Sequence, residues 1–179
     1  MLTAFLGPEG SFTHQAAEQL VPHTSLLDSH DTLESVLDAL RGGAARYAVA
    51  AIDSAAGPIA ETVAAVEAGW AQVLAEHAIE IRFDLYRRTD DETPLIGLVG
   101  HEKALAQLAP YIDNKRLRTR AFASNTAGLA AICAESEPGW GAVGPPGLAQ
   151  AYGLRVAERA IEAPARLVTR FVLLQRRPD

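Results

Sequence analysis

Leu2-Thr3-Ala4-Phe5-Leu6-Gly7-Pro8-Glu9-Gly10-Ser11-Phe12-Thr13-His14-Gln15-Ala16-Ala17-Glu18-Gln19-Leu20 opens the chain and decides its fold class. The apolar run from Leu2 to Leu6 reads as a buried strand, and Gly7-Pro8-Glu9-Gly10 supplies the residues of a turn. Ser11 then stands at the N-cap of a helix through Ala16, Ala17 and Leu20. Its hydroxyl can accept a backbone N–H that the first helical turn leaves without a partner. Strand, tight turn and helix together form the unit from which α/β proteins are built.

The alternation continues along the chain. Pro22 ends the first helix, and a short strand starts at Thr24 to Leu27. Asp31-Thr32-Leu33-Glu34 has capping-box spacing and opens a helix with Leu33, Val36, Leu37 and Leu40 on one face, stopped by Gly42-Gly43. Tyr47 to Ile52 is a central strand, and Asp53-Ser54-Ala55-Ala56-Gly57-Pro58 is a loop into a helix with Ile59, Val63 and Val66. Glu76 to Tyr86 is extended, and Arg87 to Glu92 is a polar break. A second set follows: a strand at Leu95 to Val99, a helix with Leu105, Leu108 and Ile112, and a strand at Leu117 to Phe122. Ser124 caps a helix with Leu129 and Ile132, Trp140 to Val143 is a strand, a short helix reaches Tyr152, and a last strand runs from Val168 to Gln175. This order predicts two α/β lobes, residues 1–77 with 156–179 and an inserted lobe of residues 78–155.

Lys and Arg number 16 against 22 Asp and Glu, a formal charge of -6 spread along the chain, so no nucleic-acid surface is expected. With 49% hydrophobic residues the 179-residue chain can bury a sizeable core. Cys133 is the one cysteine, which rules out an intrachain disulfide and makes a reducing cytoplasm the simplest compartment; its apolar neighbours read as a buried helix face. No leader-like start and no run long enough to span a bilayer is present, so no membrane role is expected. His14, His23, His30, His77 and His101 lack the spacing of metal ligands, and no metal site is expected. Trp70 and Trp140 read as packing residues.

Phe5 to Ala17 resembles the opening motif of the prephenate dehydratases almost residue for residue. Val168-Thr169-Arg170-Phe171-Val172-Leu173-Leu174 is similar to that family's Thr-Arg-Phe strand, which carries the threonine regarded as central to catalysis. Tyr47 to Ser54 lies where the family has a strand running into Pro-Ile-Glu-Asn-Ser, and Gly144 and Tyr152-Gly153-Leu154 also fall in familiar places. The departures are Ile52-Asp53 in place of Glu-Asn, and Gly100-His101-Glu102-Lys103 where the family often has Ser-His-Pro-Gln. The family's regulatory phenylalanine-binding domain follows the Thr-Arg-Phe strand, whereas this sequence ends at Asp179, so feedback inhibition through that domain is expected to be absent.

The resemblance implies two small α/β lobes with a ligand cleft between them, periplasmic-binding-protein-like. It also implies a cytoplasmic lyase of phenylalanine biosynthesis that turns prephenate into phenylpyruvate, with no cofactor and as a homodimer. Gly10, Ser11, Phe12 and Thr13 would receive a carboxylate at a helix start, and Ser124, Asn125 and Thr126 form a second start of the same type. Helix capping alone would also explain both. The resemblance gives Thr169 the role of hydrogen-bond donor to the departing hydroxyl, with Phe171 beside it. Arg170 can fork a carboxylate but points away from Thr169 in a regular strand, unless a bulge or strand end turns it. Asp53 and Ser54 line the start of a helix, where Asp53 would orient donors, and Gln107 either donates to substrate or faces water. Two other functions stay open: a non-aromatising prephenate decarboxylase, and a small-molecule-binding module without catalysis.

Overall fold

The computed structural model describes residues 1–161 and 167–177. They divide into two compact units, Met1–Glu80 with Leu167–Asp179, and Ile81–Arg166.

In the first unit β1 (Leu2–Leu6) runs into α1 (Phe12–Leu20), with Ser11 as the expected N-cap: its hydroxyl accepts the His14 N–H at 3.2 Å. Then come β2 (Leu26–His30) and α2 (Leu33–Arg41). The α2 cap is Thr32, one residue beyond the expected Asp31, because the reciprocal partner is Ser35 rather than Glu34. Thr32 Oγ1 accepts the Ser35 N–H at 3.1 Å, and Ser35 Oγ donates back to the Thr32 carbonyl at 2.8 Å. The chain continues as β3 (Tyr47–Ser54), β4 (Gly57–Pro58), α3 (Ala60–Glu67) and β5 (Ala71–Glu80). The expected loop into a helix at residues 53–58 is instead a hairpin: Asp53 pairs with Pro58 and Ser54 with Gly57, and α3 starts later, with Ile59 at its cap. Gly57 sits at φ +108°, a conformation that closes a two-residue turn and that a side chain would resist.

The extended segment from Glu76 to Tyr86 is two strands in two sheets, for past Glu80 the chain enters the second unit. There it forms β6 (Phe83–Arg88), β7 (Gly97–His101), α4 (Glu102–Gln107), α5 (Ala109–Lys115), β8 (Arg118–Phe122) and α6 (Asn125–Cys133). It ends with β9 (Trp140–Gly144), α7 (Ala149–Tyr152) and β10 (Leu154–Ile161). The sheet order is β10-β6-β9-β7-β8, with β7 parallel to both β8 and β9. The return to the first lobe expected at residue 156 does not occur there, for β10 pairs antiparallel with β6 and so belongs to this sheet. Tyr86, Val99, Leu129, Ile132 and Trp140 form this core.

The chain re-enters the first unit as β11 (Val168–Arg176), giving the order β2-β1-β3-β11-β5 with β4 attached to β3. Strands β1 and β3 are parallel, and β11 is antiparallel to β3 and β5. Alternation sorts the sheet into two faces. Ala4, Ala48, Ala50, Val172 and Leu174 pack under α2 and α3, and Phe5, Val49, Phe171 and Leu173 pack under Ala16 and Ala17 of α1. Each fully buried Phe or Leu contributes about 1.5–3 kcal/mol, so both faces hold the sheet rigidly.

Candidate active site

In an open sheet, polar residues gather where parallel strands end and helices begin. In the first unit the Gly7–Ser11 turn leaves the C-terminal end of β1, and Asp53 and Ser54 finish the neighbouring β3. Because β11 is antiparallel to β3, its first residues, Thr169 and Arg170, lie at that same end. Strands β1 and β11 are two places apart in the sheet, about 10 Å.

Thr169 is half-buried and alternates with Phe171 and Leu173, so it lies on the α1 face, the face capped at its edge by Ser11. Its register partner on β5 is Ile79, which packs on that same cluster. Arg170 alternates with Val172 and Leu174 and so points to the α2 and α3 face. There its guanidinium lies 3.5 Å from Asp53 and 3.4 Å from Glu76. Asp53 reaches that face through a bulge: Phe171 pairs with Ala51 and Arg170 with Asp53, leaving Ile52 as the extra residue. These are exposed pairs, worth at most about 1 kcal/mol each. Ser54 is a turn residue and caps no helix, since its Oγ accepts the Ala56 N–H and donates to the Gly57 carbonyl, both at 3.2 Å.

At the start of α1, Gly10 is at φ +79° and donates its N–H to His14 Nδ1 at 3.2 Å, while Ser11 N–H is satisfied by the Pro8 carbonyl at 3.2 Å. Phe12 and Thr13 are half-buried in the first turn. A pocket of about 420 Å³ beside this region is lined by Gln15, Glu18, Gln19, His77, Ala78 and Ile79 and contains none of the residues expected from the sequence.

In the second unit the C-terminal ends of β7, β8 and β9 bring Gly100 and His101, the Ser124 start of α6, and Gly144 to one sheet end. Ser124 Oγ accepts the Ala127 N–H at 3.0 Å and lies 3.0 Å from Thr126 Oγ1, so capping is its established role. Asn125 Oδ1 accepts the His101 N–H at 2.8 Å, which fixes its amide with the NH2 as the free donor end. His101 in turn caps α4, with Nδ1 accepting from Lys103 N–H at 3.2 Å. Gln107 is the last residue of α4, about 9 Å along the helix from His101, so the structure does not bring it to this end. Gly100 is packed so closely that a Cβ would come within 2.6 Å of Val143 Cγ2 and 3.1 Å of Asn125 Oδ1. A serine at position 100 therefore fits only if the Val143 side chain gives way.

Two buried groups of this unit were not apparent in the sequence. Tyr86 donates to the Pro145 carbonyl at 2.6 Å and accepts the Leu148 N–H at 3.3 Å, tying down the loop after β9; burial pushes its pKa up. Asp91, read as part of a polar break, is buried and bonded to Thr93 Oγ1 at 2.6 Å, Thr93 N at 3.1 Å, Gly139 N at 2.8 Å and Arg87 at 2.9 Å. Burial alone would raise its pKa, but the bonds from Thr93, Gly139 and Arg87 outweigh that and hold the carboxyl well below the usual range. Cys133 is exposed at the end of α6 and not part of a buried face, its thiol lying 3.2 Å from the Leu129 carbonyl and 3.3 Å from that of Tyr152. Trp140 is core, as expected, with Arg118 and Arg120 over its ring. Among the described residues no group of His, Cys, Asp and Glu is arranged to hold a metal ion, and no helix is long and apolar enough to cross a membrane.

Two mixed α/β units, each with polar residues at a sheet end, define a fold that recurs among solved structures. An ABC transporter structure from Parabacteroides distasonis superposes over 98% of this chain and 65% of its own, with TM-score 0.52 at 12% identity, a likeness of fold alone. The sequence is more specific: residues 3–179 match the family model described as prephenate dehydratase, and the chain belongs to that family. It is 28% identical over 177 residues to the prephenate dehydratase of Amycolatopsis methanolica, covering 98% of this chain and 58% of that one. It is 29% identical over 175 residues to the bifunctional chorismate mutase/prephenate dehydratase of Neisseria gonorrhoeae, covering 96% and 48%. The prephenate dehydratase of Arthrobacter aurescens, solved with L-Phe, superposes with TM-score 0.84 at 26% identity over 100% of this chain and 61% of its own. The chain thus spans about half to three-fifths of the length of these relatives.

Proposed function

We propose that this chain converts prephenate to phenylpyruvate, carbon dioxide and water, the lyase step of phenylalanine biosynthesis, as a cytoplasmic homodimer that uses no cofactor. The observation that carries this reading is the placement of Thr169 and the Ser11 turn on one face and at one end of a single sheet. The strands that lead to them, β1 and β11, lie about 10 Å apart, a separation that suits a cyclohexadiene with a carboxylate at one side and a hydroxyl at the other.

In this reading Gly10, Ser11, Phe12 and Thr13 seat a carboxylate at the start of α1, where the helix end carries partial positive charge. Thr169 Oγ donates a hydrogen bond to the 4-hydroxyl. As the bond to the ring carboxylate breaks, its electron pair enters the ring, carbon dioxide departs, and the C–O bond to the hydroxyl breaks. The leaving hydroxide takes up one proton to become water. A threonine hydroxyl is too weak an acid to act free in solution, so it works as a positioned donor, with its proton restored from solvent. Arg170 and Asp53 hold each other on the opposite face and fix the strand end that presents Thr169, with the Ser54 turn closing that end and Phe171 anchoring it in the core.

A decarboxylase that leaves the hydroxyl in place is the second reading, favoured by the closed packing at Gly100 and by Ile52 and Asp53 in place of Glu-Asn. Incubation with prephenate followed by alkali separates the two. Dehydration gives the absorbing enol of phenylpyruvate, whereas a dihydro product that keeps its hydroxyl gives none. Sedimentation of the purified chain tests the dimer.

A further inference from the structure

We propose that His14 is a positioning residue of the carboxylate seat, acting as a neutral stand-in for the acid of a capping box. The inference rests on the function proposed above and concerns the Gly10–Thr13 turn. His14 occupies the third position of α1, where a capping box has Glu or Gln: the cap hydroxyl accepts the N–H of that residue, whose side chain accepts the cap residue's own N–H in return; here the Ser11 N–H goes to the Pro8 carbonyl, and the return bond is shifted one residue back, to Gly10. Ser11 Oγ accepts His14 N–H at 3.2 Å, and the return bond comes from the imidazole, with Nδ1 accepting Gly10 N–H at 3.2 Å. The ring packs against Phe5, with centroids 5.2 Å apart and a tilt of 40°, and Phe5 is fully buried.

An Nδ1 that accepts a bond places the ring proton on Nε2, so the imidazole is uncharged while the bond stands. A glutamate at position 14 would pin the same N–H but set a full negative charge beside the seat. The next three helices carry an acid in the first turn, Glu34 in α2, Glu61 in α3 and Glu102 in α4, none of them at the third position, whereas α1 carries none. His14 therefore holds Gly10 in its left-handed conformation without repelling an anion.

The test compares His14→Gln, His14→Glu and His14→Leu by thermal melting, steady-state kinetics with prephenate and calorimetric titration of phenylpyruvate. Gln and Glu can both accept the Gly10 N–H, so both are expected to melt within a few degrees of wild type, with Leu lower. Gln is expected to keep KM within about threefold, while Glu raises KM and weakens phenylpyruvate binding at least about tenfold, with kcat changed less. Glu binding as tightly as wild type, Gln binding as weakly as Glu, or a Gln variant that does not fold overturns the inference. Wild type that binds phenylpyruvate but leaves prephenate intact would sink the proposed reaction and leave the assignment of His14 standing.

Discussion

Asp91→Asn is expected to destabilise the chain far more than an isosteric, single-atom change suggests. One oxygen of the new amide can keep both bonds from Thr93, but its NH2 then faces the Gly139 N–H and the Arg87 guanidinium, donor against donor. Arg87 has a side chain only 8% exposed, and its Nε is already buried without a partner, so it would be left as a buried charge with no counter-ion. Breaking one side of such a pair costs about 3–5 kcal/mol. For a chain of this size that corresponds to a Tm about 6–20 °C lower. The same carboxylate predicts the acid dependence. Its folded pKa lies below its unfolded value, so its contribution is complete above the ordinary carboxylate range near pH ~4 and is lost as pH falls below it. Melting followed by circular dichroism at pH 7 and pH 3 checks both statements: wild type should lose part of its margin over Asp91→Asn at pH 3. A variant melting within about 2 °C of wild type at pH 7 would refute the reasoning, since less than about 1 kcal/mol would then reside in the cluster.

Thr169→Ala should lower kcat about 10²- to 10³-fold while changing the affinity for phenylpyruvate little, measured by turnover and titration; unchanged kcat would retire its role as donor. Gly100→Ser, which restores the residue the family often has, should cost about 1–3 kcal/mol through overpacking against Val143 and displace the Asn125 amide. It should therefore melt lower, and an unchanged Tm would contradict the packing described.

The parts of this structure that the sequence made legible are those governed by local chemistry. Ser11 and Ser124 cap their helices as their hydroxyls require, and the Leu2–Leu6 strand falls where the apolar run does. Asp53 and Ser54 misled because Asp, Ser and Gly serve helix starts and hairpin turns alike; only the positive φ of Gly57 tells which was chosen. The bulge at Ile52 leaves no mark in the sequence, yet it turns Asp53 to the side of Arg170, against simple alternation. Strand β10 was missed for a related reason, since two register shifts against β6 break the alternation that would have revealed Leu154–Ile161. Asp91 looked like surface because an acidic residue in a charged run ordinarily is; its burial depends on Gly139 and Arg87 arriving from elsewhere in the fold.

Whether a hydroxyl on β11 helps a ring alcohol leave can be watched by proton NMR of the purified chain with prephenate. Vinyl ring signals are expected to give way to the aromatic signals of phenylpyruvate, at a rate that collapses in Thr169→Ala. Vinyl signals that persist, or that shift without any aromatic product, would contradict it.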